Sequence, residues 1–258
     1  MTNHIQNKTA LITGATSGIG EQLAFDLAEM GLNLVLTGRS AEKLAELKER
    51  ITAQTDRRID TLTFDVRDAE EVATQIEALL GETTVDILVN NAGLALGLEP
   101  IDRGDIDQWD TMIDTNIKGL LYVTRALLPH LKERPTAHII NLGSVAGKTA
   151  YPGGNVYCAT KAAVHSLTEG LNADLYGTAV KAGTIAPGAV ETRFSDTRFG
   201  GDSDKAAAVY AGYTPLTAAD ISQAVISMLN TPPHVNIQYM DIMPTAQRNP
   251  FQLYREES

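Results

Sequence analysis

Cysteine is nearly absent from this chain of 258 residues, in which Cys158 stands alone. No disulfide can therefore form within the chain, and a reducing, cytoplasmic setting is expected. We interpret Cys158 itself as a small buried thiol rather than a reactive one. The five histidines lack the spacing of metal ligands and have no second cysteine to complete a site, so we expect no bound metal.

Basic residues and long apolar runs are also scarce. Lysine and arginine together number 21 against 32 aspartates and glutamates, which gives a formal net charge of −11. Proteins that bind nucleic acids or anionic lipids present a basic face, so neither partner is expected. No uncharged apolar stretch approaches the length needed to cross a bilayer, and the first residues do not have the pattern of a signal peptide.

The chain does contain a regular alternation of short apolar runs and longer amphipathic stretches. The apolar runs are continuous, as in strands covered on both faces, and the amphipathic stretches have helical spacing. The predicted strands are 9–13, 33–37, 61–64, 86–90, 138–142, 180–186 and 236–241, and the predicted helices are 19–30, 41–54, 69–80, 105–132, 156–176 and 217–229. This alternation indicates an α/β fold, a Rossmann-type doubly wound parallel sheet of about seven strands with helices on both faces. No linker or repeat interrupts it, so a single domain over 1–258 is expected.

One segment, 194–215, does not fit the alternation. It is long, follows the end of a predicted strand and contains Gly200-Gly201. Ligands of doubly wound sheets bind beyond the carboxyl ends of the strands. That location favours a substrate lid over a plain surface excursion.

A glycine cluster, TGATSGIG, follows the first predicted strand and opens the first predicted helix. Gly14, Gly18 and Gly20 have the spacing G-x-x-x-G-x-G. Glycines allow a tight turn and a close approach of the backbone to a pyrophosphate, while the N–H groups at a helix start receive the anion. The cluster therefore predicts a dinucleotide-binding loop.

The end of the second predicted strand indicates which dinucleotide is bound. A carboxylate there would hydrogen-bond the ribose 2′-hydroxyl of NAD, whereas an arginine accommodates the 2′-phosphate of NADP. Here the strand ends in Thr37-Gly38-Arg39-Ser40, with no carboxylate. Arg39 can bind a phosphate through its forked guanidinium and Ser40 can add a hydroxyl donor, so NADP is predicted.

Two further strand ends supply candidate cofactor contacts. Asp65 and Val66 follow the third strand, where they are placed to meet the adenine. Asn91, Ala92 and Gly93 follow the fourth. A side-chain amide at a strand end can tie neighbouring backbone segments together, and small residues let a cofactor pass close by.

Together these motifs make the chain resemble the short-chain dehydrogenase/reductase family along essentially its whole length. TGATSGIG, NNAG, Asn116, Ser144, Tyr157-x-x-x-Lys161 and Pro187-Gly188 occur in the order and spacing of that family. The segments NNAGLALGLEP, MIDTNIKGL, GGNVY and HVNIQYMDIMPT resemble its branch of NADP-dependent 3-hydroxy acid dehydrogenases. That branch includes enzymes acting on serine, L-allo-threonine, 3-hydroxyisobutyrate and malonic semialdehyde. The resemblance implies a related activity here, and a homotetramer.

The resemblance also implies roles for individual residues. Tyr157 would be the general base or acid that exchanges the hydroxyl proton, and Ser144 would hold the substrate oxygen. Lys161, one helical turn beyond Tyr157, would help to lower the pKa of the phenol and bind the nicotinamide ribose. Asn116 would hold a water in a proton relay to the lysine. The implied cofactor contacts are Gly14, Ser17, Gly18, Ile19, Gly20, Arg39, Ser40, Asp65, Val66, Asn91, Ala92, Gly93, Tyr157, Lys161, Pro187, Gly188, Val190 and Thr192.

The substrate prediction depends on two arginines in and beside the expected lid. A 3-hydroxy acid must bring its hydroxyl to Ser144 and Tyr157 while its carboxylate is paired nearby, because a buried unpaired carboxylate is costly. Arg198 is the first candidate for that pairing and Arg193 the second.

Three alternative functions stay open. A broad carbonyl reductase would share the same catalytic residues. A 3-oxoacyl reductase acting on carrier-protein thioesters would be expected to show a basic docking face, which a net charge of −11 does not favour. A dinucleotide-binding sensor without turnover is disfavoured, because such proteins usually lack the tyrosine, the lysine or the glycines, and this chain has them all.

Overall fold

Seven parallel strands form one sheet, in the spatial order β3-β2-β1-β4-β5-β6-β7, in the computed structural model of the chain, which describes residues 2–255. The strands are β1 (Thr9–Ile12), β2 (Asn33–Gly38), β3 (Ile59–Thr63), β4 (Ile87–Asn90), β5 (Ala137–Leu142), β6 (Val180–Pro187) and β7 (Tyr239–Ile242). The chain runs outward from β1 to β3 and then returns to the centre for β4, which pairs with the other side of β1. This reversal opens a crevice at the carboxyl ends of the two central strands.

Helices connect the strands and cover the sheet. They are α1 (Gly18–Glu29), α2 (Ala41–Thr52), α3 (Ala69–Leu80), α4 (Ile106–Ile113), α5 (Leu120–Lys132), α6 (Asn155–Asp174), α7 (Phe194–Arg198), α8 (Ser203–Tyr210) and α9 (Ala218–Leu229). A π-helical stretch, Asp114–Gly119, joins α4 to α5 where the sequence predicted one continuous helix over 105–132. Such π insertions are frequent at functional sites, and this one carries Asn116.

Each face of the sheet has its own apolar core, because successive strand residues point to opposite sides. Leu11 and Val35 pack on the side of α3 and α5, whereas Ile12 and Leu36 pack on the side of α1 and α9. All four side chains are fully buried. Burial of one such side chain stabilises the fold by about 1.5–3 kcal/mol, which explains why the strands are continuously apolar. The predicted fold class, a doubly wound parallel sheet with helices on both faces, is confirmed.

His138 of β5 is a buried polar exception in this core. Its side chain is 3% exposed, and its Nε2 has no hydrogen-bond partner within residues 2–255. Burial first, and then the positive charges of Lys181 and Lys8, lower the pKa of His138 to about 3. The folded protein therefore resists protonation of a histidine that the unfolded chain protonates near pH 6.5.

We expect His138 to make the protein sensitive to acid. Its contribution to stability is fully present above pH 6.5 and is lost as the pH falls from 6.5 towards 3. Between pH 6.5 and 5 the loss should reach about 2 kcal/mol. Thermal unfolding measured between pH 6.5 and 5 tests this acid sensitivity. Tm of His138→Gln should depend less steeply on pH than Tm of wild type. The exposed His234→Gln is the control, and parallel curves for wild type and His138→Gln would contradict the expectation.

Candidate active site

A cleft of about 340 Å³ opens at the carboxyl ends of the central strands. Most of the side chains and backbone positions assigned from the sequence line it: Gly14, Ser17, Gly18, Ile19, Arg39, Asp65, Val66, Asn91, Ala92, Gly93, Ser144, Tyr157, Lys161, Pro187, Gly188, Val190, Thr192 and Arg193. Gly20, Ser40, Asn116 and Arg198 are outside this lining. Gly20, Asn116 and Arg198 are adjacent to lining residues, namely Asn91, Leu94 and Tyr157, whereas Ser40 contacts Lys43 of α2. The segments meet here because parallel strands end at the same edge of a sheet.

The glycine loop after β1 adopts conformations and contacts that other residues rarely allow. Gly14 and Gly18 have φ angles of +64° and +58°. A Cβ on Gly14 would lie 2.9 Å from Cα of Ala92, so the loop lies directly against the segment after β4. A Cβ on Gly20 would lie 2.5 Å from Nδ2 of Asn91. Gly20 therefore permits close packing inside the loop, and its contact with the cofactor stays a prediction.

Asn91 joins the ends of β1 and β4. Its Nδ2 donates to the carbonyls of Thr13 and Gly14, at 2.8 and 3.0 Å. The main-chain N–H groups of Asn91 and Ala92 both donate to Oγ1 of Thr13, at 3.0 Å. The tie between strand ends that the sequence predicted is confirmed. Ser17, at the N-cap of α1, makes no side-chain capping bond in the described chain, which leaves the first helical N–H groups available to an anion.

Arg39 and Ser40, at the end of β2, have different positions. Arg39 is exposed and lies at the rim of the cleft. Ser40 caps α2, because its hydroxyl accepts the N–H of Lys43 at 3.3 Å. Thr16 of the glycine loop also lines the cleft and contacts the end of β2, since a Cβ on Gly38 would lie 3.1 Å from its Cγ2. Thr16 was not among the residues predicted to contact the cofactor, although its place inside the glycine motif was a signal.

Asp65 lies at the same end of the cleft as Arg39 and is held by Arg67. The Oδ2 atom of Asp65 is 2.7 Å from Nη2 of Arg67. The hydrogen bond from Arg67 lowers the pKa of the Asp65 carboxyl, and the charge of Arg39 acts in the same direction. The carboxylate is therefore ionised and already paired, while the adjacent Val66 offers an apolar surface to the cleft.

The opposite end of the cleft brings together Ser144, Tyr157 and Lys161. Ser144 follows β5 and begins a short 3₁₀ turn, Val145–Gly147. Tyr157 and Lys161 lie one turn apart on α6, and their side chains are only 8% and 6% exposed. Nζ of Lys161 donates to the carbonyl of Leu142 at 2.7 Å. A hydroxyl, a phenol and an amine thus share one buried corner, where they can bind an oxygen and exchange its proton.

Asn116 is fixed in the wall behind that corner by the π-helical stretch. Its Nδ2 donates to the carbonyl of Leu94 at 2.8 Å and to Oγ1 of Thr160 at 3.0 Å, while its Oδ1 accepts the N–H of Leu94 at 2.9 Å. A Cβ on Gly93 would lie 3.2 Å from Oδ1 of Asn116 and 3.4 Å from Nζ of Lys161. The amide and the amine therefore border the same space above Gly93, where a side chain would be crowded.

Burial sets the protonation of the buried phenol and amine. It raises the pKa of Tyr157, and a hydrogen bond from Ser144 and the charge of Arg198 oppose this rise in part. Burial also lowers the pKa of Lys161 to about 8. The sequence analysis expected Lys161 to lower the pKa of the phenol. In the structure burial dominates instead, because the ammonium group is directed at the carbonyl of Leu142.

Arg198 lies against the reactive corner, next to the ring of Tyr157. Its guanidinium carbon is 5.4 Å from the ring centroids of both Tyr151 and Tyr157. Its Nη2 donates to the hydroxyl of Tyr151 at 2.6 Å. Arg193 is exposed and lines the cleft. Tyr151 had no sequence motif to indicate it, because its relation to Arg198 exists only after folding.

The segment predicted as a lid, 194–215, contains α7 and α8 rather than only irregular chain. Between them Gly200 and Gly201 have φ angles of +61° and +91°, and a Cβ on either would meet open space. Glycine is therefore favoured at these two positions by the backbone conformation of the turn, and not by close contact with a neighbouring residue. The carboxyl end of α8 is contacted from the chain terminus, where the guanidinium of Arg255 donates to the carbonyls of Ala208, Val209 and Ala211.

Three further expectations from the sequence concern residues outside this site. Cys158 is a free, buried thiol 3% exposed, and burial raises its pKa. Among residues 2–255, no three His, Cys, Asp or Glu side chains are grouped as metal ligands would be. Over the same described range, no helix combines the length and apolar character needed to span a bilayer.

Comparison with known proteins adds the family. A family described as short chain dehydrogenase matches residues 8–201. The chain is 46% identical over 239 residues to the NADP-dependent 3-hydroxy acid dehydrogenase YdfG of Salmonella typhi. The aligned region covers 92% of this chain and 95% of that protein. It is equally 46% identical over 239 residues to sulfoacetaldehyde reductase 2 of Chromohalobacter salexigens, covering 92% of this chain and 94% of that one.

Solved structures show the same relationship. The closed form of serine dehydrogenase complexed with NADP⁺ superimposes with a TM-score of 0.87 at 44% identity, covering 93% of this chain and 96% of the other. Serine dehydrogenase from Escherichia coli superimposes with a TM-score of 0.80 at 40% identity, covering 93% and 99%. The predicted resemblance and the predicted cofactor are both confirmed by these relatives.

Proposed function

This chain belongs to the short-chain dehydrogenase family and is an NADP-dependent oxidoreductase, and we propose that its substrate is a small 3-hydroxy acid or the corresponding semialdehyde. The hydride would move between the nicotinamide and C3 of the substrate. The observation that carries this proposal is the position of Arg198, a cation 5.4 Å from the ring of Tyr157. A carboxylate paired with Arg198 would leave the oxygen on C3 within reach of the phenol.

The residues of the cleft fit NADP. The glycine loop exposes backbone N–H groups, not covered by side chains, at the start of α1. A side chain on Gly14 would collide with Ala92. Arg39 is the exposed cation at the end of β2, where the 2′-phosphate is received in this fold. NADP supplies or accepts the hydride when it is bound. We propose that the glycine loop holds the pyrophosphate and Arg39 the 2′-phosphate, with Thr16 beside it.

Replacing Arg39 with alanine is expected to weaken NADPH binding about tenfold, roughly 1.5 kcal/mol, and to leave NADH binding nearly unchanged. This loss of binding free energy is at the low end for a charged hydrogen bond, because Arg39 is exposed to water. Fluorescence titration with both cofactors measures the two affinities, and the exposed Arg125→Ala on α5 is the control. An equal loss for NADPH and NADH would assign Arg39 to the fold or to the pyrophosphate.

We propose that Tyr157 exchanges the substrate proton and that Ser144 binds the substrate oxygen. In the reducing direction the neutral phenol donates its proton from Oη to the carbonyl oxygen, and burial supports this by raising the pKa of Tyr157. In the oxidising direction the phenol must first lose that proton. The hydrogen bond from Ser144 and the charge of Arg198 both favour this ionised form.

Lys161 and Asn116 would return the proton to solvent. Both border the space above Gly93, and a water there would be within reach of Oδ1 of Asn116 and Nζ of Lys161. Burial lowers the pKa of Lys161 to about 8, so its amine can release and recover a proton near neutral pH. We also propose that Lys161 binds the nicotinamide ribose through the same nitrogen.

The substrate carboxylate would be bound by Arg198 with the hydroxyl of Tyr151. Their 2.6 Å hydrogen bond places a charge and a second polar group at one point beside Tyr157. An arginine with a neutral donor can satisfy both oxygens of a carboxylate. Arg193, exposed at the cleft, is the second candidate. The lid 194–215, which carries Arg198 and directly follows Arg193, would close over the substrate by turning at Gly200-Gly201.

The proposal is tested by paired substrates that differ in the acidic group. Serine is compared with 2-aminoethanol, and 3-hydroxypropanoate with 1-propanol, using NADP as the acceptor. Because one charged hydrogen bond contributes about 1.5–3 kcal/mol, kcat/KM should be roughly 10- to 100-fold higher for each acid. Equal values for acids and neutral alcohols would instead indicate the broad carbonyl reductase.

A second candidate substrate class is a small sulfonate aldehyde. The relative named sulfoacetaldehyde reductase is as similar to this chain as the 3-hydroxy acid dehydrogenase is. A sulfonate carries one negative charge and several acceptor oxygens, so Arg198 and Tyr151 could bind it as well. The comparison of kcat/KM for malonic semialdehyde and sulfoacetaldehyde with NADPH decides between the two classes. Activity on 3-oxoacyl thioesters alone would favour the 3-oxoacyl reductase.

We further propose that the protein is a cytoplasmic homotetramer. Ile106 on α4 and Leu121 on α5 are large apolar side chains that are 66% and 40% exposed in the single chain, which favours contact with another copy. A buried free thiol at Cys158 is compatible with a reducing compartment. Light scattering after size-exclusion chromatography measures the oligomer.

A further inference from the structure

His165 lies next to the reactive corner, and the roles proposed above make no use of it. It follows Lys161 by one turn of α6, as Lys161 follows Tyr157, so the three side chains lie along one face of the helix. The imidazole is half-buried beneath the loop 143–147, which carries Ser144. On its other side it meets the ring of Tyr239 in β7 edge-on, with the two centroids 5.2 Å apart.

The loop that carries Ser144 closes on the imidazole through two glycines. A Cβ on Gly143 would lie 2.6 Å from Nε2 of His165, and a Cβ on Gly147 would lie 2.6 Å from its Cε1. Neither glycine has a positive φ angle, so space and not backbone conformation requires glycine at both positions. Ser144 lies between them, so the ring helps to set the distance between Ser144 and α6, together with the Lys161 backbone against Gly147 and the Thr184 side chain against Gly143.

A hydrogen bond accompanies this packing. The N–H of Ser144 donates to Nε2 of His165 at 3.4 Å, and the hydroxyl of Tyr239 is 3.5 Å from the same nitrogen. Nε2 can accept only when the ring is neutral and its proton is on Nδ1. Burial first, and then the charges of Lys161 and Lys148, lower the pKa of His165 to about 4, while Asp241 and the backbone of Ser144 act in the opposite direction. The neutral ring therefore prevails at neutral pH, and the position of the Ser144 N–H favours the tautomer with its proton on Nδ1.

We propose that His165 is a positioning residue for this enzyme: it supports the loop under Gly143 and Gly147 and accepts the Ser144 N–H, which holds the Ser144 hydroxyl at Tyr157. The inference rests on the proposed role of Ser144. The hydroxyl belongs to the supported loop, since its Oγ accepts the N–H of Ala146 at 3.1 Å. Displacing a reacting group by about 1 Å can lower turnover by about 10²-fold, so a small movement of the loop would be measurable.

The test compares His165→Gln with His165→Met, two side chains of similar length of which only glutamine has an oxygen that can replace Nε2. We expect kcat of His165→Gln to stay within about threefold of wild type and kcat of His165→Met to fall by about 10- to 100-fold, with KM changed less than kcat. NADPH affinity and Tm, measured on both variants, should match each other. Long-range ¹H–¹⁵N spectra of histidine-labelled wild type should show Nε2 without a proton.

Ser144→Ala is measured alongside, to separate this inference from the proposed function. If His165→Met is as active as His165→Gln while Ser144→Ala is impaired, His165 does not position Ser144 and the proposed function stands. If Ser144→Ala has normal kcat, the role of Ser144 fails and the inference fails with it. If His165→Met does not fold, the spectrum of wild type decides, and a proton on Nε2 at neutral pH overturns the inference.

Discussion

Replacing Tyr157 with phenylalanine is expected to lower kcat by at least about 10²-fold while NADPH binds nearly as before. The change removes the hydroxyl that exchanges the proton and keeps the ring, which packs 5.7 Å from the ring of Phe194 and lies under Arg198. No other phenol replaces it, because Tyr151 already bonds to Arg198. Steady-state kcat with malonic semialdehyde and NADPH, together with a fluorescence titration of NADPH, measures both quantities.

The matched control is Tyr176→Phe, the same chemical change on a side chain 94% exposed just beyond α6. It should leave kcat and Tm unchanged. Tm of Tyr157→Phe should also stay near that of wild type, because the ring keeps its packing against Phe194. Near-normal turnover by Tyr157→Phe would refute the proton-transfer role of this residue.

Replacing Arg198 with alanine is expected to lower kcat/KM for 3-hydroxy acids by roughly 10- to 100-fold, the loss of one charged hydrogen bond. Activity on a neutral alcohol of similar size should hardly change. Because the charge of Arg198 also favours the ionised form of Tyr157, a small loss common to both substrates is expected in the oxidising direction. The diagnostic quantity is therefore the ratio of kcat/KM for acid and alcohol, measured for wild type and variant.

Arg193→Ala provides the comparison for Arg198→Ala. Arg193 is an exposed arginine directly before the segment 194–215, so a general effect of removing positive charge near this segment would be common to both variants. A larger fall in the acid-to-alcohol ratio for Arg193→Ala would make Arg193 the carboxylate ligand. Equal losses on acids and alcohols in both variants would remove the physical basis for preferring 3-hydroxy acids.

The candidate site could be predicted from the sequence where its residues are fixed by strand ends and local spacing. The glycine loop, Asn91 and the Tyr157–Lys161 pair belong to this group. Each lies immediately after a strand or within one helical turn, and parallel strands bring such positions to a common edge. The strand and helix ranges could also be predicted from the sequence, since apolar periodicity is a local property.

The prediction that needed correction concerns the environment of a residue rather than its place in the chain. The pKa of Tyr157 rises instead of falling, because the degree of burial and the direction of the Lys161 ammonium are not readable from spacing.

By itself, the sequence determined the doubly wound sheet, the dinucleotide loop and the spacing of Ser144, Tyr157 and Lys161, because hydrophobic periodicity and motif spacing act over a few neighbouring residues. Only the tertiary structure decided that Arg198 lies between two tyrosines and that His165 supports the loop of Ser144. Those contacts join segments that are distant along the chain. Their formation depends on how the loops pack over the finished sheet, where shape and burial select the partners.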